Sequence, residues 1–245
     1  MKRNNFITVD VVCYDNGKQE ILTQNLIKEE PLLIEAGRFC QTITRTPGDD
    51  IAFAAGVCFM QKIIELPEQI LSAKFYSNAQ PNKVIIKLSE NPDKKEYNPL
   101  NVKTDFKISI KNAKECVIKL RNSQMLHNKT GSAHAAMLFD YKLNSIAFAE
   151  DVGRHNAFDK AIGKVFMEKN LNKAPIAAVS CRINYEMITK AKRASIPIII
   201  GQGKPTSKAV NTALSYNISI AWMGKKGDFF IFTGKNRFLP DKLSD

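Results

Sequence analysis

No run of this sequence approaches the ~20 consecutive apolar residues that a membrane-spanning helix needs. Asp10 and Asp15 also interrupt the first apolar stretch, which therefore lacks the hydrophobic region of a secretory leader. Cysteine is sparse: Cys13, Cys40, Cys58, Cys116 and Cys181 are odd in number and contain no CxxC pair. That spacing provides neither a secreted disulfide framework nor a structural zinc site. Histidine is limited to His127, His134 and His155, so a site built from several histidines would use nearly all of them. Acidic residues number 24 against 36 Lys plus Arg, and the net charge of +12 directs the surface towards anions: nucleotides, nucleic acid, anionic lipid or acidic proteins. Nucleic acid is disfavoured because basic and aromatic residues are not interleaved in a stripe. The chain also has no internal repeat, no low-complexity tract, no Walker A loop and no GxGxxG fingerprint. These absences together predict a reduced, cytoplasmic protein without a bound zinc and without a membrane partner.

The remaining composition is that of a globular chain. Its 245 residues are 44% hydrophobic and 24% charged, enough to bury one large core or two small ones. Residues 6–13 alternate, with Ile7, Val9 and Val11 on one face, and Asn16-Gly17 follows as a hairpin turn because both residues tolerate positive φ. Strands are expected at 31–36, 41–46 and 83–88. Thr46-Pro47-Gly48-Asp49 reads as the start of a helix running to about Ile64, with Thr46 as hydroxyl cap. The polar stretch 89–104 reads as a long loop or linker. Beyond it Ala113, Cys116, Val117 and Leu120 fall at i, i+3, i+4 and i+7, the spacing of an amphipathic helix. Strands at 134–139 and 145–149, a helix through Phe158–Phe166, and then alternating strands and helices (175–180, 183–194, 196–200, 206–215, 218–222, 228–233) predict an α/β sheet with parallel strands. The expected division is a β-rich N-terminal portion, 1–105, and an α/β domain, 106–245.

Ligands of open α/β sheets bind at the carboxyl ends of the strands, and two segments bring polar groups there. Ile200-Gly201-Gln202-Gly203-Lys204-Pro205-Thr206-Ser207 leaves a hydrophobic strand and enters a helix. Two glycines, a lysine, two hydroxyls and free helix N–H groups suit an anion, though a tight turn with a Thr/Ser cap explains them equally. Glu150-Asp151-Val152-Gly153-Arg154-His155-Asn156, with Asp159 one turn later, crowds more charge at a helix start than capping needs. Arg154 suits bidentate phosphate recognition and His155 proton donation, with an ion-pair cluster as the plainer account. His134, entering an apolar strand, and Arg182, ending another, are further candidates. Cys181 beside Arg182 is the cysteine best placed for a lowered pKa, although a small residue in a tight turn is the simpler explanation.

The segments Glu29-Glu30-Pro31, Thr46–Asp50 with Phe53–Phe59, Thr130-Gly131 with His134-Ala135-Ala136, Glu150–Asn156 with Asp159-Lys160, Arg182 with Tyr185-Glu186-Met187, and Pro205-Thr206-Ser207 with Ala209-Val210 occur in this order along most of the chain. In this they resemble the FdhD family of formate dehydrogenase accessory sulfurtransferases. The resemblance implies a cytidine-deaminase-like three-layer α/β domain with a smaller β-rich N-terminal portion, in a homodimer. It implies sulfur passed from a cysteine desulfurase to a molybdenum or tungsten bis-guanylyl pterin cofactor, Mo-bis(molybdopterin guanine dinucleotide), destined for formate dehydrogenase. It also implies a cofactor segment at Ile200–Pro205 where GDP mimics half the ligand, with His134, Arg154, His155, Asp159 and Arg182 lining the site. The chain departs from the family at the sulfur-carrying CxxC loop, because residues 89–110 contain no cysteine. Either another thiol substitutes, with Cys181 the best candidate, or the protein is a cofactor chaperone or adaptor that moves no sulfur. Zinc-dependent deamination is excluded by the same route: His134-Ala135-Ala136 lacks the catalytic glutamate and no CxxC follows.

Overall fold

The computed structural model describes residues 5–89 and 105–241; all but the first residue of the polar stretch 89–104 lies outside them. The chain opens with a two-stranded ribbon, β1 (Phe6–Asp15) and β2 (Lys18–Ile27), closed by Asn16 and Gly17 at φ 48° and 77°. The turn signal thus produces the hairpin. A four-stranded sheet follows, built from β3 (Glu30–Ala36), β4 (Phe39–Arg45), β5 (Ile70–Tyr76) and β6 (Asn82–Leu88) in the order β4-β3-β6-β5. Helix α1 (Asp50–Met60) covers it.

Helix α1 is shorter than expected at both ends. Thr46 does not cap it: the Thr46 hydroxyl accepts from the Val152 N–H, and its own N–H donates to Asp151 Oδ2. Asp49, at φ 55°, occupies the cap position instead. At the other end Lys62 turns left-handed at φ 60°, and the Ile63 N–H returns to the Cys58 carbonyl.

The second half contains β7 (Ile108–Ser109), α2 (Ile110–Ser123), α3 (Met125–Thr130), β8 (His134–Phe139), β9 (Ser145–Asp151), α4 (Arg154–Met167), β10 (Ile176–Arg182), α5 (Tyr185–Arg193), β11 (Ile198–Gly203), α6 (Ser207–Ser215), β12 (Ser219–Met223), β13 (Phe229–Thr233) and β14 (Phe238–Leu239). Six strands pair in the order β13-β12-β11-β10-β8-β9, with β10, β11 and β12 mutually parallel and the other pairings antiparallel. Side chains of alternate strand residues divide between two cores. Ala135, Met137, Ile176, Ala178 and Ile200 meet α2 through Cys116, Val117 and Leu120. Ala136, Leu138, Ala177, Val179 and Ile199 face α4 and α5. The result is a three-layer α/β arrangement.

The second core is continuous with the N-terminal sheet. Leu32, Ile34, Val84 and Ile86 join Phe53, Ala54, Val57 and Phe59 of α1, which join Phe158, Ile162 and Phe166 of α4. Helices α1 and α4 cross in backbone contact, since a Cβ on Gly56 would fall on the Asp159 carbonyl and one on Gly163 on the Ala52 carbonyl. This crossing fixes where the N-terminal half of α4, which carries Arg154 and His155, sits.

Candidate functional site

Topology gathers the candidate residues along one sheet edge. The parallel strands β10, β11 and β12 end there at Arg182, Gly203 and Met223. Because β8 runs antiparallel to β10, its first residue, His134, lies at the same edge, paired with Asp151 at the end of β9. Helix α4 then starts with Arg154 and His155. The Ala135 N–H donates to Ser180 Oγ, and the Thr206 N–H to the Ile183 carbonyl, tying the ends of neighbouring strands together.

The Glu150–Asp159 segment divides by role. Glu150 accepts from the Leu126 and His127 N–H groups and so caps the first turn of α3. Asp151, fully buried, is paired with the Lys160 ammonium at 2.7 Å and accepts from the N–H groups of Thr46 and Gly153 and from Asn156 Nδ2. Lys160 also donates to the Thr46 carbonyl and Asn156 to the Thr44 carbonyl. These residues hold the end of β4 against α4. Asp159 is buried too, with both oxygens on Lys190 Nζ at 2.6 and 2.7 Å; burial raises its pKa, and the lysine opposes that rise. Asp159 faces Lys190 rather than open solvent. Arg154 is exposed, and His155 places Nε2 2.8 Å from Glu186 Oε2 and 3.2 Å from Asn184 Nδ2.

His134, half-buried, has its pKa lowered by desolvation first and then by the Arg154 charge and by His127, with Asp151 acting the other way. Burial and the Arg154 guanidinium both disfavour its charged form. Among the described residues, Arg154, Arg182 and Lys204 have no carboxylate at ion-pair distance. The edge therefore carries uncompensated positive charge of the kind that receives phosphate.

The Gly201–Gly203 segment differs from the expected loop. Strand β11 continues through it, since Gly201 pairs with Val179 and Gly203 with Arg182. A Cβ on Gly203 would lie 2.9 Å from the Arg182 backbone nitrogen, and one on Gly201 3.1 Å from the Ile183 side chain. The space the glycines open is thus used by the chain itself. Thr206 does cap α6, its hydroxyl accepting from the Ala209 N–H at 3.2 Å. Lys204 lies over the Trp222 ring at 5.0 Å; Trp222 stacks on Phe230 at 4.7 Å and donates to the Gln202 carbonyl. Gln202 Nε2 is buried and finds no acceptor among the described residues. Trp222 and Asn184 were not singled out from sequence. A lone tryptophan at the end of an expected strand is the signal that could have found Trp222.

Cys181 is turned into the core, 6% exposed, and its thiol is pushed up to about 11 by burial, with Arg154 lowering it only in part. Cys58 and Cys116 are pushed up to about 12 for the same reason. Sequence offers Cys181 as the best-placed thiol but favours a small residue in a tight turn; the strand's alternation points it at the interior, where burial opposes activation.

A family model described as the FdhD/NarQ family matches residues 86–239. This chain belongs to the FdhD/NarQ family. Among similar members is the sulfur carrier protein FdhD of Sulfolobus acidocaldarius, 32% identical over 228 residues that cover 85% of this chain and 89% of that one. The sulfur carrier protein FdhD of Picrophilus torridus is 30% identical over 252 residues, covering 90% and 94%. A crystal structure described as that of a formate dehydrogenase accessory protein from Desulfotalea psychrophila superposes with a TM-score of 0.83 at 20% identity, covering 96% of this chain and all of that one. The FdhD-type fold thus accounts for nearly the whole chain. Among the described residues, no helix is long and apolar enough to cross a membrane.

Proposed function

We propose that this chain is a cytoplasmic FdhD-type accessory protein serving formate dehydrogenase, and that it binds a guanine-nucleotide end of Mo-bis(molybdopterin guanine dinucleotide), or GDP in its place, at the shared strand edge. The observation that carries this reading is that Arg154, Arg182 and Lys204, none with a carboxylate at ion-pair distance among the described residues, lie at the ends of elements along the strand edge that also holds Gln202, whose buried Nε2 has no acceptor among them. Those residues fit a phosphate-bearing group with one further hydrogen-bond acceptor: the arginines hold phosphate oxygens, and Gln202 Nε2 donates to the ligand. The cofactor brings its own metal chemistry, and the chain's part is to bind and orient it. Calorimetric titration of GDP tests this. Arg154→Ala and Arg182→Ala are each expected to weaken binding about tenfold or more, the loss of one charge-assisted contact. Unchanged affinity in both variants removes the assignment.

The sulfur step divides into two readings. The relatives' name, sulfur carrier, favours transfer from a cysteine desulfurase. The burial of Cys181, Cys116 and Cys58 favours a homodimeric cofactor chaperone that moves no sulfur. Intact mass after incubation with a cysteine desulfurase and cysteine decides between them. A one-sulfur adduct lost in Cys181→Ser or Cys116→Ser identifies a carrier. No adduct, with GDP binding intact, identifies the chaperone.

A further inference from the structure

A cavity of about 830 Å³ with His155 in its lining runs along α5 between the segment after α1 and the end of α6. Its size falls within the range of small-molecule sites, about 300–1,000 Å³. Four cations line it: Lys62, Lys190, Lys192 and Arg193. Its carboxylates are already engaged, Glu65 with Arg193 and Glu186 with His155. Lys190 is held by Asp159 beneath the cavity. Lys62 and Lys192 have no carboxylate at ion-pair distance among the described residues.

The fold brings both lysines to one cavity. Lys62 sits at φ 60° in the left-handed turn that ends α1, and Lys192 lies 3.7 Å from the centroid of the Tyr216 ring. The negative end of a helix favours cations generally, which accounts for Lys192 at the end of α5 and for Lys62 at the end of α1 one by one; that two different helices bring these lysines to one cavity is the further observation. Arg193 ties the two walls together by donating to the Phe59 and Ile64 carbonyls. The cavity's walls are thus joined through Arg193, and Lys62 and Lys192 give its lining positive charge.

We infer that this cavity is a second anion site, taking a phosphate-bearing small molecule of up to nucleotide size, with its phosphates against Lys62 and Lys192. It shares only His155 with the strand-edge site and uses none of Arg154, Arg182 or Lys204, so it stands or falls independently of the function proposed above. Inorganic pyrophosphate is the probe, titrated calorimetrically into the full-length protein, with GDP as a second arm to distinguish nucleotide from free phosphate. The variants are Lys62→Asn, which keeps a residue tolerant of the left-handed turn, and Lys192→Gln, with Arg182→Ala as control. Saturable pyrophosphate binding that weakens about tenfold in each lysine variant and persists in Arg182→Ala supports the site. No saturable binding in the parent protein overturns it. So does equal affinity in parent and lysine variants, or a loss confined to Arg182→Ala.

Discussion

At the scale of single residues, titration and burial make the sharpest predictions. His134 is held below its ordinary pKa by burial and by Arg154, so the unfolded chain takes up the proton more readily than the folded one. Stability from this residue is complete above the unfolded value of about 6.5 and declines as pH falls through it, with a slope of at most about 1.4 kcal/mol per pH unit. Thermal unfolding of the parent between pH 7 and 5.5 is expected to show this acid loss, and His134→Gln to show a shallower one; equal slopes count against it. The cysteines divide in the same way. With pKa values of about 11 and 12, Cys181, Cys58 and Cys116 are thiols at neutral pH, and the thiolate is the species that reacts. Cys40 is exposed. Timed alkylation followed by peptide mass mapping is expected to label Cys40 early and the three buried cysteines only after denaturation.

At the scale of elements, α4 divides along its length between residues that grip the fold and residues that reach the strand edge. Its buried Lys160, paired with Asp151 at the end of β9, holds β4, whereas Arg154 is exposed and His155 reaches Glu186. Lys160→Met leaves a carboxylate buried without its partner and is expected to cost about 3–5 kcal/mol in chemical denaturation; adding Asp151→Asn is expected to recover part of that. Gly163→Ala puts a methyl into the Ala52 carbonyl where α1 and α4 cross, and is expected to cost about 3 kcal/mol or prevent folding.

These same elements show how far the sequence was readable. The hairpin followed from Asn16-Gly17, and α2 from the spacing of Ala113, Cys116, Val117 and Leu120, because both signals are local. Strand β5 was missed. Thr46 was misread as a cap because its partners are 105 and more residues away. Strand β11 runs on through Gly201–Gly203, beyond its expected end at residue 200, because its pairing partners Val179 and Arg182 lie on another strand. The charged residues of the Glu150–Asp159 segment were visible from sequence. The division into those that grip the fold and those that face out depends on side-chain direction, which only the packed helix supplies.

At the scale of the whole molecule, one core runs from the four-stranded sheet through α1 and α4 into the six-stranded sheet, while the β1–β2 ribbon projects with Ile7, Val12, Tyr14, Ile21 and Leu26 exposed. A lone two-stranded ribbon is marginal in water. Amide hydrogen exchange is therefore expected to be fastest in residues 6–27 and slowest in α1, α4 and β10; uniform protection would contradict this. The contact of Thr46 with Asp151 and Lys160 bears on biosynthesis as well. The end of β4 leaves the ribosome about a hundred residues ahead of the groups that satisfy its backbone, and contacts so distant along the chain slow folding. The N-terminal strands must wait, incompletely covered, for α4 to be translated. The nascent chain passes through a period of aggregation risk that ends only when the helix carrying Arg154 and His155 docks.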